Sequence, residues 1–323
     1  MKFDDAKASA LDDTLVIRRL TEHTSMVKVV VFADDGRLAT GANAVEQMGE
    51  IRIWGADGTA SQHLLRREHC FDVKDLAFSP DSRWLVATHQ GTGELLGWDS
   101  RTGKPVAMRK PNLDGVRAVG FSRDGSEALG VVYSTKLARV STATWKVIAK
   151  GGDEGGGKAP RLSAQGVLAL GIRDKELCVV ENGVERVLGA HAATIYEDRA
   201  LAWSRDGRRL ASTDNSGGIK VWDLASGAQL SEFKESARVN ACALSPDGSL
   251  LLTIAMNRPG GSTVRMWNVD DRRHVATRKR SELEVGVEDS EIGAEPQSVA
   301  FVPDGRSFAI GTWGGVVVQL RVP

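Results

Sequence analysis

Cysteine is scarce in this chain. Only Cys70, Cys178 and Cys242 occur, far apart and in no metal-ligand pair. That excludes a disulfide framework and fits buried free thiols in a reducing compartment. An excess of charge is missing too: lysine plus arginine and aspartate plus glutamate each number 42. Bulk charge therefore gives no general attraction to nucleic acid or acidic lipid. The N-terminus, MKFDDAKASALDDT, is acidic and has no apolar core. Neither a signal peptide nor a membrane span is expected, and the expected location is the cytoplasm. Motifs of catalysis are also missing. The chain has no phosphate loop, zinc-type His/Cys spacing, EF-hand loop or G-x-S-x-G elbow, and its six histidines are scattered. Paired acids such as Asp12 with Asp13, Asp34 with Asp35, and Asp270 with Asp271 fall in turns or tails, where a solvated role is expected. The expectation is a protein that is not an enzyme, with no cofactor and no metal.

Glycine is plentiful, at 35 of 323 residues. That is about 11% against a usual level of about 7%, and it implies many turns between short strands. Self-similarity explains the number. One unit recurs as VKVVVFADDGRLAT at 27–40, VKDLAFSPDSRWLVAT at 73–88, VRAVGFSRDGSEALG at 116–130, KAPRLSAQGVLALG at 158–171, RALAWSRDGRRLAST at 199–213, VNACALSPDGSLLLT at 239–253 and PQSVAFVPDGRSFAIGT at 296–312. Each copy is an apolar strand, a tight turn and a second apolar strand. The turn slots are Gly36, Ser82, Gly125, Gly166, Gly207, Gly248 and Gly305, spaced by 46, 43, 41, 41, 41 and 57 residues. Glycine suits a backbone that must adopt positive φ between paired strands.

A third strand follows each pair and ends in tryptophan at Trp54, Trp98, Trp222 and Trp267, with Val140, Val180 and Gln319 assigned to the same slot elsewhere. The apolar strand, the S-P-D-G turn and the terminal W-D dipeptide, strict at Trp98–Asp99 and Trp222–Asp223, resemble the WD-repeat family over residues 14 to 322. A β-sandwich is excluded because sandwiches do not repeat one unit seven times. The resemblance implies an all-β, seven-bladed β-propeller forming a single domain over 1–323, with blades starting near 27, 73, 116, 158, 199, 239 and 296. It implies four strands per blade, and GAQLSEF at 227–233 and ENGVERVL at 181–188 suit the outermost place. The seventh copy ends one strand short. TLVIRRLTEHTS at 14–25 alternates like an outer strand. Residues 13–20 are expected to close the ring in blade seven, behind a tail at 1–12.

The family also carries a buried network of histidine, hydroxyl, aspartate and tryptophan. His191, Ser212, Asp214 and Trp222 of blade five match it, and blade five is read as the only match, with Asp214 two residues earlier than the family's spacing. A hydrolase triad of His191, Ser212 and Asp214 is rejected in favour of structural bonding.

Within the family, a residue four before the aromatic slot of the innermost strand is exposed on the top face. That slot holds Lys28, Lys74, Arg117, Lys158, Arg199, Asn240 and Gln297. Five cations and two amides in a ring make the channel mouth a candidate site for an acidic peptide. Tyr196 and Trp313, near top loops, are candidate apolar anchors. GGDEGGGKAP at 151–160 is expected to be a mobile loop. SELEVGVEDSEIGAE at 281–295 is acidic throughout and follows Arg278, Lys279 and Arg280, so it is expected either to be a solvated insertion or to lie across the basic mouth. The expected function is a non-catalytic scaffold that binds a protein or peptide, with an acidic one as the candidate, as part of a larger complex. Membrane binding is not expected, and nothing points to self-association. Two other readings stay open: a propeller enzyme with a channel active site, and nucleic-acid binding through the basic ring. The alanine content and S-P-D-G turns suggest a bacterial member.

Overall fold

The computed structural model describes residues 16–45, 48–66, 72–89, 94–106, 115–132, 137–151, 158–172, 175–181, 183–195, 199–257, 261–279 and 295–323. These form seven antiparallel sheets, six with four strands and one with three. From the inside outwards, blade one runs Val27–Phe32, Leu38–Val45, Met48–Trp54 and Ser61–Arg66. The innermost strands of the others are Val73–Phe78, Ala118–Phe121, Lys158–Leu162, Leu201–Trp203, Val239–Leu244 and Pro296–Phe301. Each innermost strand neighbours the next in cyclic order, and the last neighbours the first. Blade two has three strands among the described residues, with an isolated bridge from Trp98 to Pro105 on its outer side. The expected outer strands are present as Gln229–Lys234 and Val184–Ala190.

Local chemistry sets the strand-to-strand turns. In blade two the Ser79 hydroxyl donates to Asp81 Oδ1 at 2.5 Å and accepts the Trp84 N–H at 2.9 Å. Serine–aspartate pairs at Ser122–Asp124, Ser204–Asp206 and Ser245–Asp247 repeat the first bond. The polar groups of each turn are thus answered within the turn. The Ser122 hydroxyl, with the Ser126 N–H and hydroxyl, holds the Asp124 carboxyl down at about 2. All six turn-slot glycines have positive φ, and Ser82 in the seventh slot adopts the same geometry at φ 58°. The Ser82 hydroxyl accepts the Asp34 N–H at 3.1 Å, so its side chain ties blade two to blade one.

Strand alternation buries a separate apolar cluster between each pair of consecutive blades. Ile51, Ile53 and Leu65 of blade one pack against Val73, Leu76 and Leu85 of blade two, for example. Blade seven shows one departure from the expected alignment. Phe308 pairs with Leu320, as Leu210 pairs with Trp222 in blade five, so Leu320 and not Gln319 fills the tryptophan slot.

The ring closes through Val16–Leu20, antiparallel to Val317–Arg321. Ile17 is an extra residue in that pairing, which shifts register between Val16 and Arg18. Arg18 spans the seam. Its Nε donates to Gln319 Oε1 at 2.6 Å, and its Nη1 donates to the carbonyls of Gly55 and Gly58 of blade one at 2.8 and 2.6 Å. Gln319 in turn donates to Ser307 Oγ at 3.1 Å. Ser298 Oγ adds a bond to the Val27 carbonyl at 3.0 Å.

Deleting residues 1–20 is therefore expected to give an aggregating or unfolded chain, because the last blade then shows an unpaired edge. Arg18→Ala, which keeps the strand and removes the seam bonds, is expected to cost about 2–3 kcal/mol. Denaturant melts of both variants check this, and a deletion variant that stays monomeric with an unchanged midpoint would contradict it.

Candidate functional site

Each blade repeats the same order outwards from the axis. The starts of the inner strands therefore gather at one end of the central channel, the entry rim, and the serine–aspartate turns gather at the other, the turn end.

At the entry rim the pairing register has a recurrent fault. Val27 pairs with Ala42 but Val29 with Gly41, which leaves Lys28 as an extra residue. The same shift singles out Lys74, Asn240 and Gln297. In blade four a wider irregularity lies between Lys158 and Arg161. A bulge takes its extra residue out of the ladder and re-aims the side chain. Burial follows suit. Lys28, Lys74, Arg117, Asn240 and Gln297 are each half-buried between two buried neighbours, and Arg199 is half-buried as well. Within the expected cationic ring, Lys28 Nζ lies 2.8 Å from Asp72 Oδ2, so its charge is answered within the protein. Asn240 Oδ1 accepts from Arg238 Nε at 3.1 Å. Trp313 is 47% exposed on the turn that follows Thr312. The Lys158 side chain, Tyr196 and residues 281–294 of the acidic segment lie outside the described residues, as do residues 152–157 of the glycine-rich loop.

The buried polar networks are more numerous than expected. In blade five Trp222 Nε1 donates to Ser212 Oγ at 2.8 Å, and Ser212 Oγ lies 2.8 Å from His191 Nε2. Having accepted from tryptophan, the hydroxyl has its proton for the histidine, and Nδ1 then carries the ring's own proton. Nδ1 lies 3.3 Å from Asp214 Oδ2, without the alignment of a hydrogen bond. Asp214 Oδ1 accepts the Ser216 and Gly218 N–H groups at 2.8 Å each.

Blade five does not hold the only such network. In blade one Trp54, Thr40, His23 and Glu50 form the same chain at 2.8, 2.6 and 3.3 Å. In blade six Trp267 donates to Thr253 at 3.0 Å, and Thr253 donates to the buried carboxylate of Glu235 at 2.8 Å. Arg265 pairs with that carboxylate. Burial is the largest cause holding both His23 and His191 below the ordinary histidine pKa, against the opposing pull of Glu50 and Asp214. These histidines are buried and face a hydroxyl and a tryptophan inside the blades.

The channel wall carries groups that the repeat pattern did not single out. Asp75, buried on the inner strand of blade two, accepts the Val119 N–H at 3.0 Å and pairs with Arg161 of blade four at 2.6 Å. Trp203 Nε1 donates to the Arg161 carbonyl at 3.2 Å. At the turn end Arg205 of blade five pairs with Asp34 of blade one. Their positions could have been noticed only by asking which residues of the inner strands are charged. Among the described residues no three of His, Cys, Asp and Glu stand together as metal ligands. Cys178 and Cys242 are buried and in no disulfide, and burial pushes the Cys242 thiol up to about 12, which leaves it unreactive.

Because the unfolded chain takes up protons on these histidines more readily than the folded one, stability is full above about pH 6.5 and falls as pH drops below it. Denaturant midpoints between about pH 7.5 and about pH 5 are expected to decline, and more shallowly in a His23→Gln/His191→Gln variant. Equal slopes would show that the two rings carry no such linkage.

Two family models match the chain: "WD domain, G-beta repeat" over residues 61–99, and "Anaphase-promoting complex subunit 4 WD40 domain" over residues 163–285. WD repeat-containing protein 1 of Gallus gallus is 27% identical over 250 residues, covering 71% of this chain and 38% of that protein. Actin-interacting protein 1 of Drosophila melanogaster is 24% identical over 310 residues, covering 94% of this chain and 41% of that protein. The chain thus spans about two fifths of the length of these two relatives. Protein LST8 homolog of Drosophila melanogaster is 35% identical over 253 residues, which cover 68% of this chain and 73% of that protein.

Proposed function

Because the chain belongs to the WD-repeat propeller family, we propose that it serves as a non-catalytic platform that holds a partner protein or peptide on its entry rim, within a larger assembly. The reading rests on one observation above the others. The inner strands of blades one, two, six and seven bulge at the same place and leave Lys28, Lys74, Asn240 and Gln297 half-exposed among buried neighbours. Repeated departures from the ladder at one end of a channel produce a polar rim on a rigid support, which is what a recognition surface requires. Fold by itself does not decide function, so the chemistry of the rim carries the reading.

The rim favours an acidic partner. Lys74, Arg117 and Arg199 stand at equivalent positions on blades two, three and five, and the exposed indole of Trp313 belongs to the same end of blade seven. A cationic surface with an aromatic anchor suits a carboxylate-bearing segment with an apolar side chain. Lys28, neutralised by Asp72, contributes less than its place in the ring suggests. The name of a relative that links it to actin stays with that relative. We further infer that the protein acts inside the cell, since Cys178 and Cys242 are buried and in no disulfide.

The test is affinity capture with wild type and with a Lys74→Glu/Arg117→Glu variant whose melting temperature is unchanged. Charge reversal at two rim positions is expected to weaken a bound acidic partner by about 2 kcal/mol or more, seen as loss of capture. The same partner retained by both proteins would move the site to another face.

A further inference from the structure

The turn end of the channel is divided in two. The Asp34–Arg205 ion pair joins blades one and five across the opening. On one side lies a cavity of about 250 Å³ lined by blades one and four to seven, with Trp203 and Phe301 in its wall. On the other lies a cavity of about 360 Å³ lined by blades one to four and by Arg205. Phe32 and Arg161 belong to both walls.

The larger cavity combines two chemistries. Phe32, Phe78 and Phe121 supply three aromatic side chains from three consecutive blades. Arg123, Arg161 and Arg205 supply three guanidinium groups, and Asp34 is the one acid in the lining. Asp75 answers Arg161 on one side at 2.6 Å. Arg205 is answered by Asp34, whose side chain is 51% exposed and comes from a turn at the mouth. Burial lowers the Arg205 pKa, so this guanidinium holds its charge best with an anion against it.

We propose that this cavity binds a small organic carboxylate with an apolar body. The ligand's carboxylate replaces Asp34 on Arg205, and its body lies against Phe32, Phe78 and Phe121. Asp34 thus occupies in the free protein the position that the ligand carboxylate takes in the complex. A planar guanidinium matches a carboxylate in two parallel bonds, and aromatic walls hold an apolar body edge-on or face-on. The volume is that of a pocket for a small molecule and not of a protein surface. The same chemistry could come from a free acid or from the C-terminal carboxylate of a peptide that ends in an apolar residue. The site lies at the opposite end of the channel from the entry rim and does not depend on the reading of that rim.

Calorimetric titration of the full chain tests this with four probes: 3-phenylpropanoate, 3-phenylpropanamide, and a short peptide ending in phenylalanine with a free or an amidated C-terminus. Both free acids are expected to bind saturably and both amides not. Asp34→Asn frees the guanidinium from its internal competitor and is expected to tighten binding by about tenfold, while Arg205→Gln abolishes it. A tighter peptide acid identifies a chain terminus as the natural source, and a tighter small acid identifies a free carboxylate. Absence of saturable binding to both wild type and Asp34→Asn would overturn the proposal, as would binding unchanged by Arg205→Gln. If Arg205→Gln fails to melt like the wild type, the gain in Asp34→Asn decides alone.

Discussion

A ring of sheets holds together only if the outer edge of its last blade finds a strand, and here the strand comes from the start of the chain. Val16–Leu20 completes blade seven, and Arg18 carries the closure across the seam into blade one. Burying a guanidinium is costly, and burial indeed lowers the Arg18 pKa. Three bonds, to one amide and two carbonyls, offset that cost, and the two carbonyl bonds exist only when blades seven and one are adjacent. The seam is therefore specified as well as filled.

The remaining seams use the same device with less at stake, because the chain itself already joins the blades. Arg37 reaches from blade one to the Ser82 and Ser100 carbonyls of blade two at 2.6 and 2.7 Å. Gln165 of blade four donates to the Arg205 carbonyl of blade five at 2.9 Å, and Arg209 of blade five donates to the Gly248 carbonyl of blade six at 3.0 Å. These donors all stand in or beside the turn between the first two strands of their blade. The turn end is thus pinned blade to blade, and it presents Arg205 and Asp34 from fixed supports, with little freedom to lose when an anion binds.

Much of this was legible because a repeat writes the same local physics seven times. Positive φ at the turn slot reads directly as glycine, and even Ser82 stands out by breaking the pattern. The closing strand was legible from a shortage at the other end of the chain. Four things were not. The rim bulges arise from register, and register depends on how two strands pair and not on either strand's composition. The networks of blades one and six escaped notice because Glu50 supplies the carboxylate from the third strand itself and Glu235 replaces histidine outright. The misplaced Gln319 shows the same limit: counting residues to the chain's end cannot tell it from Leu320, whereas pairing with Phe308 can. Arg161 meets Asp75 from 86 residues away. A contact across a ring leaves no mark in local spacing.

The two ends of the channel differ in a way that follows from the blade itself. At the entry rim, bulges turn polar residues out of the ladder and the surface is open, so charges there are screened and individually weak. At the turn end the inner strands stay regular and carry an aromatic or bulky apolar residue in every blade, from Phe32 round to Phe301. Charges set among those side chains are less screened, and each needs a partner. The protein supplies Asp75 for Arg161 from deep in the wall but only an exposed turn aspartate for Arg205. One pair is built into the channel and the other can be exchanged. That difference in depth makes the turn end the place where a small anion can enter without dismantling a blade, while the rim remains suited to broad, shallow contact with a larger partner.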